Sequence, residues 1–253
     1  PKAGRAPPCA RWTARALLTT KGPTMPLDAL KSAVLEANLD TVRHGLVKAT
    51  FGNASGIDRE TGRIVIKPSG VPYPEMTPQY MVLTDLDGAA LDNRFRPSSD
   101  LDTHVALYRA FPQIGGIVHT HSTYATIMAQ ARRPIPPLGT THADYFRGTI
   151  PVTRDLTAEE ITTRYVAATG AVIAETVGDR DPLAIPAVLV AGHGPFVWGR
   201  DPAEAVMNAM ILEEVAKMAW HGAVLDAQPP AISDTLLDRH FLRKHGANAT
   251  YGQ

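Results

Sequence analysis

The spacing of apolar residues predicts that the folded part of the chain begins with an amphipathic helix and continues with short strands. From Leu27 onward the apolar positions recur at helical spacing and form one stripe that can face a core: Leu30, Val34, Leu35, Leu39, Val42 and Leu46. The stretch from Ser55 to Gly62 is turn-like, whereas the β-branched run from Arg63 to Lys67 predicts a strand that ends in a turn at Gly70. Another strand is expected near Tyr80 to Thr84.

The rest of the chain continues to alternate helical and strand patterns. Ser98 to Asp100 supply capping side chains for a helix through Tyr108, and Thr157 with Glu160 three residues later forms a capping box. Further helices and strands are expected at 115–121, 157–175, 187–191, 196–198, 201–220 and 233–243. Because no internal repeat or linker interrupts this series, we expect one domain in which helices cover a central sheet.

Composition and charge favour a protein that acts on a small molecule. The 253 residues are 44% hydrophobic and 20% charged, and 25 Lys and Arg residues balance 25 Asp and Glu residues. This balance gives no electrostatic reason to bind nucleic acid or an anionic membrane, and no apolar run approaches the roughly 20 residues that span a bilayer. We therefore expect a soluble, cytoplasmic protein with no nucleic-acid or membrane partner.

Residues 1–24 differ from the rest of the chain. They contain five basic residues, no acidic residue and several prolines, so the remainder is acidic on balance. We expect residues 1–24 to be a disordered upstream extension outside the fold, with an organellar transit peptide as the alternative. The single domain is therefore expected to span residues 25–253.

The candidate chemistry centres on histidines, because the one cysteine, Cys9, cannot build a cysteine zinc site. Alternate side chains of a strand share a face, so His119 and His121 are expected about 6 to 7 Å apart on the same side. His193 follows another predicted strand and lies between two glycines, where the backbone can turn and deliver a side chain to the end of the sheet. Three histidines with an open fourth position are typical of catalytic zinc.

Structural alternatives exist for each of these residues. A pair of histidines at a strand end also occurs without any ligand, and the third histidine is what favours a metal site here. Asp100, at a predicted helix start, is a candidate fourth ligand or nearby base, although a plain N-cap uses the same residue type.

A second group of residues predicts an anion site. Exposed backbone N–H groups, hydroxyl side chains and a helix N-terminus together suit a terminal phosphate, and the candidates are Asn53, Lys67, Ser69, Gly70, Ser98 and Ser99. Turns and caps use the same residue types, so only their occurrence together with the histidines favours a functional interpretation.

A third group lies between Thr140 and Phe146. Its polar and ionisable residues, Asp144 among them, indicate either a loop at the site or a capping or buried aspartate. His240 is a further candidate. The other histidines on helical patterns or in the tail are expected to be structural or exposed: His44, His104, His221 and His245.

Several motifs together resemble a known family. They are Phe51-Gly-Asn-Ala-Ser55, Lys67-Pro-Ser-Gly70, Pro97-Ser-Ser-Asp100, His119-Thr-His121, Gly139-Thr-Thr-His-Ala-Asp144-Tyr-Phe146 and the terminal Tyr251-Gly-Gln253. From about Met25 to Gln253 the chain resembles the class II aldolase and adducin superfamily. The last two motifs are similar to those of its L-ribulose-5-phosphate 4-epimerases in particular.

This resemblance implies an α/β fold, an αβα sandwich around a mainly antiparallel central sheet, assembled as a homotetramer with active sites between subunits. It implies a divalent metal ion, usually Zn2+, on His119, His121 and His193. Asp100 would lie beside the metal, where related fuculose-phosphate aldolases carry a glutamate.

The resemblance also implies roles for the remaining candidates. The residues expected to surround the substrate phosphate are Asn53, Lys67, Ser69, Gly70, Ser98 and Ser99. The implied acid/base pair is Asp144 and Tyr251, with Tyr251 contributed by an adjacent subunit and His240 near that intersubunit position.

The implied reaction interconverts L-ribulose 5-phosphate and D-xylulose 5-phosphate, as in arabinose or ascorbate catabolism. Carbon 4 is not adjacent to the carbonyl, so its hydrogen is not acidic enough for simple removal and return. Inversion therefore needs cleavage of the C3–C4 bond, rotation of the aldehyde and re-addition, with acid/base groups on two faces. The alternatives are a class II aldolase that releases a ketose phosphate and an aldehyde, and a non-catalytic adducin-like assembly domain.

Overall fold

The computed structural model describes residues 26–92, 94–247 and 249–250, so the predicted extension at residues 1–24 and the terminal Tyr251 lie outside the described residues. The helices within these ranges are α1 (Leu27–Arg43), α2 (Leu101–Ala110), α3 (Thr123–Gln130), α4 (Thr140–Ala143), α5 (Ala158–Val177), α6 (Pro202–Leu225) and α7 (Asp234–His245). The strands are β1 (Asn53–Asp58), β2 (Arg63–Ile66), β3 (Val82–Thr84), β4 (Gly116–His119), β5 (Ala187–Leu189) and β6 (Pro195–Gly199).

The described strands form one sheet in the order β3-β2-β1-β4-β6-β5, and hydrogen-bonded neighbours in it run antiparallel. Apolar side chains of α1, α3 and α6 pack on one face of the sheet, and those of α2 and α5 pack on the other. The expected αβα sandwich around a mainly antiparallel sheet is therefore confirmed.

The helix patterns with local caps agree closely with the structure. The hydroxyl of Thr157 accepts a hydrogen bond from the Glu160 backbone N–H at 3.2 Å, and the Glu160 carboxylate accepts one from the Thr157 N–H at 2.8 Å, which completes the predicted capping box. The Asp201 side chain caps α6 by accepting a hydrogen bond from the Glu204 N–H at 2.8 Å, and Pro202 lies in the first turn. None of the helices in the described ranges combines the length and apolar character of a bilayer span.

The prediction of a turn from Ser55 to Gly62 is wrong in its first half, because Asn53–Asp58 is β1 and only residues 59–62 form a turn. β1 is an inner strand between β2 and β4. A Cβ on Gly56 would lie 2.8 Å from Cγ of Pro202 and 2.9 Å from Cδ1 of Leu30. The small residues of β1 therefore permit close packing of α1 and α6 on the sheet, and they do not mark a turn.

The segment that leaves β4 is held by a carboxylate from α6. The two side-chain oxygens of Glu213 accept hydrogen bonds from the backbone N–H groups of Tyr124 at 2.8 Å and Ala125 at 2.9 Å. These N–H groups belong to the first turn of α3, where the helix itself provides no acceptors and the helix dipole favours negative charge. Glu213 therefore fixes the position of α3 immediately after His121.

Replacing Glu213 with alanine is expected to lower the free energy of unfolding by about 2 kcal/mol, because two charge-assisted hydrogen bonds to a helix N-terminus are lost. Urea denaturation followed by circular dichroism measures the change. Glu214→Ala, at an exposed position of the same helix, is the matched control and should change the free energy of unfolding by less than about 0.5 kcal/mol. Equal stability of the two variants would contradict the capping role.

Candidate active site

Three histidines meet at one edge of the sheet. His119 ends β4, where it pairs with Asn53 of β1 on one side and with Phe196 of β6 on the other. His121 follows two residues later, and His193 lies in the turn between β5 and β6. The three ring centroids are 4.8 to 5.0 Å apart, and one nitrogen of each ring lies within 4.8 Å of the other two.

Two glycines allow the turn with His193 to approach His121. Gly192 has a φ of +69°, a left-handed conformation that a side chain disfavours. A Cβ on Gly194 would lie 2.8 Å from the carbonyl oxygen of Thr120 and 3.3 Å from Cδ2 of His121. The absence of a side chain at Gly194 therefore permits the two loops to lie against each other.

Contacts with β6 orient the ring of His119. Its Nδ1 lies 2.9 Å from the carbonyl oxygen of Pro195, and the ring stacks on Phe196 with centroids 4.1 Å apart. Since a carbonyl only accepts, Nδ1 carries the proton and the lone pair of Nε2 stays available to a ligand. Burial lowers the pKa of His119 to about 3, so the imidazole is neutral at physiological pH.

The donor set of the three histidines fits a divalent metal ion. Burial also lowers the pKa of His193, so that this ring is a neutral donor as well. Imidazole nitrogens are ligands that Zn2+ and other divalent transition-metal ions accept. The ligand atoms of His119, His121 and His193 all lie within 4.8 Å of one another and therefore provide a site that one ion can occupy.

Asp100 adds negative charge beside the histidines. Its side chain makes no capping hydrogen bond to the described residues of α2, and Oδ2 instead accepts one from Nδ2 of Asn53 at 2.6 Å. Burial by itself raises the pKa of Asp100, but the polar surroundings of the carboxylate, the hydrogen bond from the Asn53 amide among them, hold the pKa below its ordinary value. The carboxylate is therefore ionised, and it makes the site more attractive to a cation.

A buried network joins α2 to β1 next to this carboxylate. Oγ of Ser55 lies 2.7 Å from Nδ1 of His104 and 2.8 Å from the hydroxyl of Tyr108. His104, for which the sequence predicted a structural or exposed role, is fully buried, and this burial lowers its pKa to about 4. The imidazole is therefore a neutral hydrogen-bonding group that aligns the first turns of α2 with the sheet.

One cleft of about 440 Å³ brings most of the predicted site residues together. Its walls include the three histidines, Asp100 and all six candidate phosphate-binding residues, together with Thr50, Phe51 and Gly52. The candidate metal and anion sites therefore share one cleft at the edge of the sheet.

Lys67 provides a buried positive charge in this cleft. The residue is 3% exposed, its Nζ lies 4.8 Å from the ring centroid of Tyr73, and within the described residues its hydrogen-bond acceptor is the Thr50 carbonyl at 3.4 Å. Burial lowers the pKa of Lys67, and the nearby Asp100 opposes this effect. The ammonium group has three N–H donors, and its contact with the Thr50 carbonyl is long, so it has donors available for an anionic ligand.

Asp144 and His240 lie outside the walls of this cleft. Oδ1 of Asp144 is 3.0 Å from Nδ1 of His240 and 3.2 Å from a guanidinium nitrogen of Arg243, and its backbone carbonyl accepts a hydrogen bond from His245 at 2.8 Å. Both candidates thus belong to a cluster between α4 and α7. Of the expected acid/base pair, Asp144 does not line the described cleft, and Tyr251 lies outside the described residues.

Tyr165 of α5 contacts the histidines and was missed in the sequence. Its hydroxyl lies 3.3 Å from Nδ1 of His193. Arg164, the preceding residue, has non-helical dihedral angles (φ −156°, ψ 41°), so α5 is interrupted just before Tyr165. Helical periodicity carries no signal for such a break, and the contact could not be inferred from spacing.

Comparison with known proteins gives consistent results. Residues 32–220 match the family model described as the Class II Aldolase and Adducin N-terminal domain. A curated protein of Salmonella paratyphi B, named L-ribulose-5-phosphate 4-epimerase UlaF, is 53% identical over 227 residues, which cover 90% of this chain and 100% of that protein. The protein of the same name from Salmonella typhi shows the same identity and coverage.

Solved structures agree with the fold. A structure named L-fuculose 1-phosphate aldolase aligns with a TM-score of 0.72 and 25% identity, covering 86% of this chain and 96% of that one. The L-fuculose 1-phosphate aldolase from Glaciozyma antarctica PI12 aligns with a TM-score of 0.69 at 19% identity, covering 91% and 89% of the two chains.

Replacing Gly194 with alanine is expected to weaken metal binding by about 10-fold or more, because the added Cβ pushes the His193 turn away from His121. Competition with a chromophoric chelator measures the affinity for Zn2+. Gly222→Ala is the matched control, since its Cβ would meet nothing within 4 Å and alanine favours the helix by about 0.5–1 kcal/mol. Unchanged affinity in Gly194→Ala would show that close approach of the loops is not needed.

Proposed function

The chain belongs to the class II aldolase and adducin family, and we propose that it is a metal-dependent 4-epimerase that interconverts L-ribulose 5-phosphate and D-xylulose 5-phosphate. The observation that carries the proposal is the single cleft that combines three histidine side chains and a carboxylate with a buried ammonium group and hydroxyl donors. The relatives named as epimerases, which match over their whole length, favour this reaction over others of the family.

We propose that His119, His121 and His193 hold a divalent ion, with Zn2+ the expected metal. When bound, such an ion supplies Lewis-acid polarisation of the sugar carbonyl and hydroxyl oxygens. The carbonyl of Pro195 keeps His119 in the tautomer that this role needs. Asp100, fixed by Asn53, adds the negative charge that balances the cation and is the candidate fourth ligand or nearby base.

The phosphate is proposed to bind at the other end of the cleft. Lys67 provides the positive charge, and the hydroxyls of Ser69, Ser98 and Ser99 are available as donors. Gly70, with a φ of +73°, allows the turn after β2 to present backbone at this point. Holding the phosphate end keeps the departing aldehyde in the site, which is what an epimerase requires and an aldolase does not.

The two acid/base groups are proposed to be Asp144 and Tyr251. Asp144 lies outside the cleft of its own chain, where His240 and Arg243 hold its carboxylate in place. Because the described cleft walls do not include Asp144, we propose that a neighbouring subunit completes the site in a homotetramer. A tyrosine with an ordinary pKa near 10 needs a nearby cation to act as a base.

The second candidate function is a class II aldolase that releases its products. It is favoured by the solved structures named L-fuculose 1-phosphate aldolase, which share the fold. Their identity to this chain, 25% and 19%, is lower than the 53% of the epimerase relatives. A non-catalytic adducin-like domain has no use for the histidine cluster at the cleft.

His119→Ala is expected to lose bound metal and to lower turnover by about 1000-fold, since Lewis-acid stabilisation contributes several kcal/mol. The measurement is a coupled assay of zinc-loaded protein with L-ribulose 5-phosphate that follows D-xylulose 5-phosphate, with metal content determined in parallel and EDTA treatment as a second arm. His44→Ala, at an exposed position at the end of α1, is the control and should keep both metal and turnover.

Two results would contradict the proposal. Full turnover by metal-free His119→Ala would remove the metal from the reaction. Release of a free aldehyde from folded, metal-loaded wild-type protein, without epimerised product, would transfer the assignment to an aldolase.

Tyr251→Phe is expected to lower epimerisation while metal content and fold stay unchanged, because only an acid/base hydroxyl is removed. Coexpression of Tyr251→Phe with His119→Ala tests the shared site. If each site combines histidines of one chain with the tyrosine of the next, random mixing in a cyclic tetramer restores about a quarter of the wild-type activity. No recovery in verified mixed tetramers would place both groups in one chain.

A further inference from the structure

Tyr165 contacts the histidine cluster at His193, although it is not among the residues that line the cleft. Its hydroxyl is 3.3 Å from Nδ1 of His193, and the two rings lie 6.2 Å apart with an interplanar angle of 30°. His119, by comparison, is oriented by the Pro195 carbonyl at its own Nδ1. The Tyr165 hydroxyl therefore lies at Nδ1 of His193, just as the Pro195 carbonyl lies at Nδ1 of His119.

The break in α5 gives Tyr165 this direction. An α-helix rotates by about 100° per residue, so in an unbroken helix the preceding turns would determine the direction of the residue 165 side chain. Arg164 interrupts the helical dihedral angles immediately before it. In the turn before the break, the hydroxyl of Thr163 donates to the Glu159 carbonyl at 2.7 Å, a side-chain contact that bends helices.

The helix that resumes after the break is fixed to the protein core. The hydroxyl of Thr103 on α2 donates to the carbonyl of Val166 at 2.7 Å. A Cβ on Gly170 would lie 2.5 Å from Cβ of Ala106 and 3.2 Å from the carbonyl oxygen of Thr103, so only a glycine lets α5 pack this closely on α2. Because α2 begins directly after Asp100, the backbone of Tyr165 is anchored to the same helix that positions the carboxylate of the site.

We propose that Tyr165 is a positioning residue of the metal centre, where its phenol oxygen accepts the Nδ1–H of His193. That hydrogen bond fixes the tautomer in which Nε2 of His193 offers its lone pair to the ion shared with His119 and His121. The inference rests on the proposed metal site and deepens it. Tyr165 acts through His193 and does not touch the substrate.

Tyr165→Phe separates this role from packing. The substitution removes only the hydroxyl and keeps the ring that lies beside His193, at a position that is 42% exposed. Tyr80→Phe is the matched control, because it removes the same atom from a ring that packs on Phe95 and does not line the cleft. Thermal unfolding of both apoproteins is expected to match that of the wild type.

The test is a titration of the full-length apoproteins with Zn2+ against a chromophoric chelator, repeated with Co2+ to record the ligand-field absorption bands. Tyr165→Phe is expected to bind about 10-fold or more weakly, and its Co2+ bands are expected to shift, because losing a hydrogen bond at a metal-bound imidazole weakens and reorients the ligand. Tyr80→Phe is expected to match the wild type in both measurements.

The outcomes separate this inference from the proposed function. Equal affinity and identical Co2+ spectra for Tyr165→Phe and wild type would overturn the role of Tyr165 while leaving the metal site in place. Failure of the wild-type protein to bind either ion would overturn the proposed metal centre and the inference with it.

Discussion

The hydrogen bond from Asn53 to Asp100 joins the sheet to the helix that carries the negative charge of the site. An ionised carboxylate taken out of water loses several kcal/mol of solvation, so it needs hydrogen-bond donors that are fixed in advance. Asn53 provides one at 2.6 Å and pairs directly with His119 across the sheet. One strand residue therefore sets both the position of the carboxylate and its separation from the first histidine. Ser55 lies two residues further along β1, and His104 lies one helical turn beyond Asp100. Their side chains form a second hydrogen bond between β1 and α2.

The cleft is organised by charge as well as by shape. The three histidines lie with the Asp100 carboxylate, a combination that attracts a cation. The same cleft holds the buried Lys67, whose positive charge is supported by the same carboxylate. A sugar phosphate has oxygen atoms that suit a metal at one end and a dianion at the other. These two groups of residues can therefore orient such a molecule in the cleft before any chemistry occurs.

What the sequence could predict was local, and what it could not predict depends on contacts between distant segments. The capping box of Thr157 involves residues three positions apart, and the structure has it. The spacing of His119 and His121 likewise predicted side chains on the same side of the chain, and their ring centroids lie 5.0 Å apart. The part of β1 from Ser55 onward was predicted to be a turn because Gly56 is typical of turns. Its role is to leave room for Pro202 and Leu30, which are remote in the chain. The contact of Tyr165 with His193 depends on a helix break at Arg164, which helical periodicity does not predict. The proposed role of Asp144 depends on a second chain.

The proposed reaction needs proton transfer on two faces of the substrate, and this need is the reason for proposing a second chain at the site. Inverting carbon 4 by cleavage and re-addition exposes first one face and then the other face of the aldehyde, so an acid/base group is needed on each face. The described walls of the cleft do not include Asp144, which lies with His240 and Arg243 in the cluster between α4 and α7. On this proposal, a neighbouring chain completes the site, so that oligomerisation and proton transfer on both faces are linked.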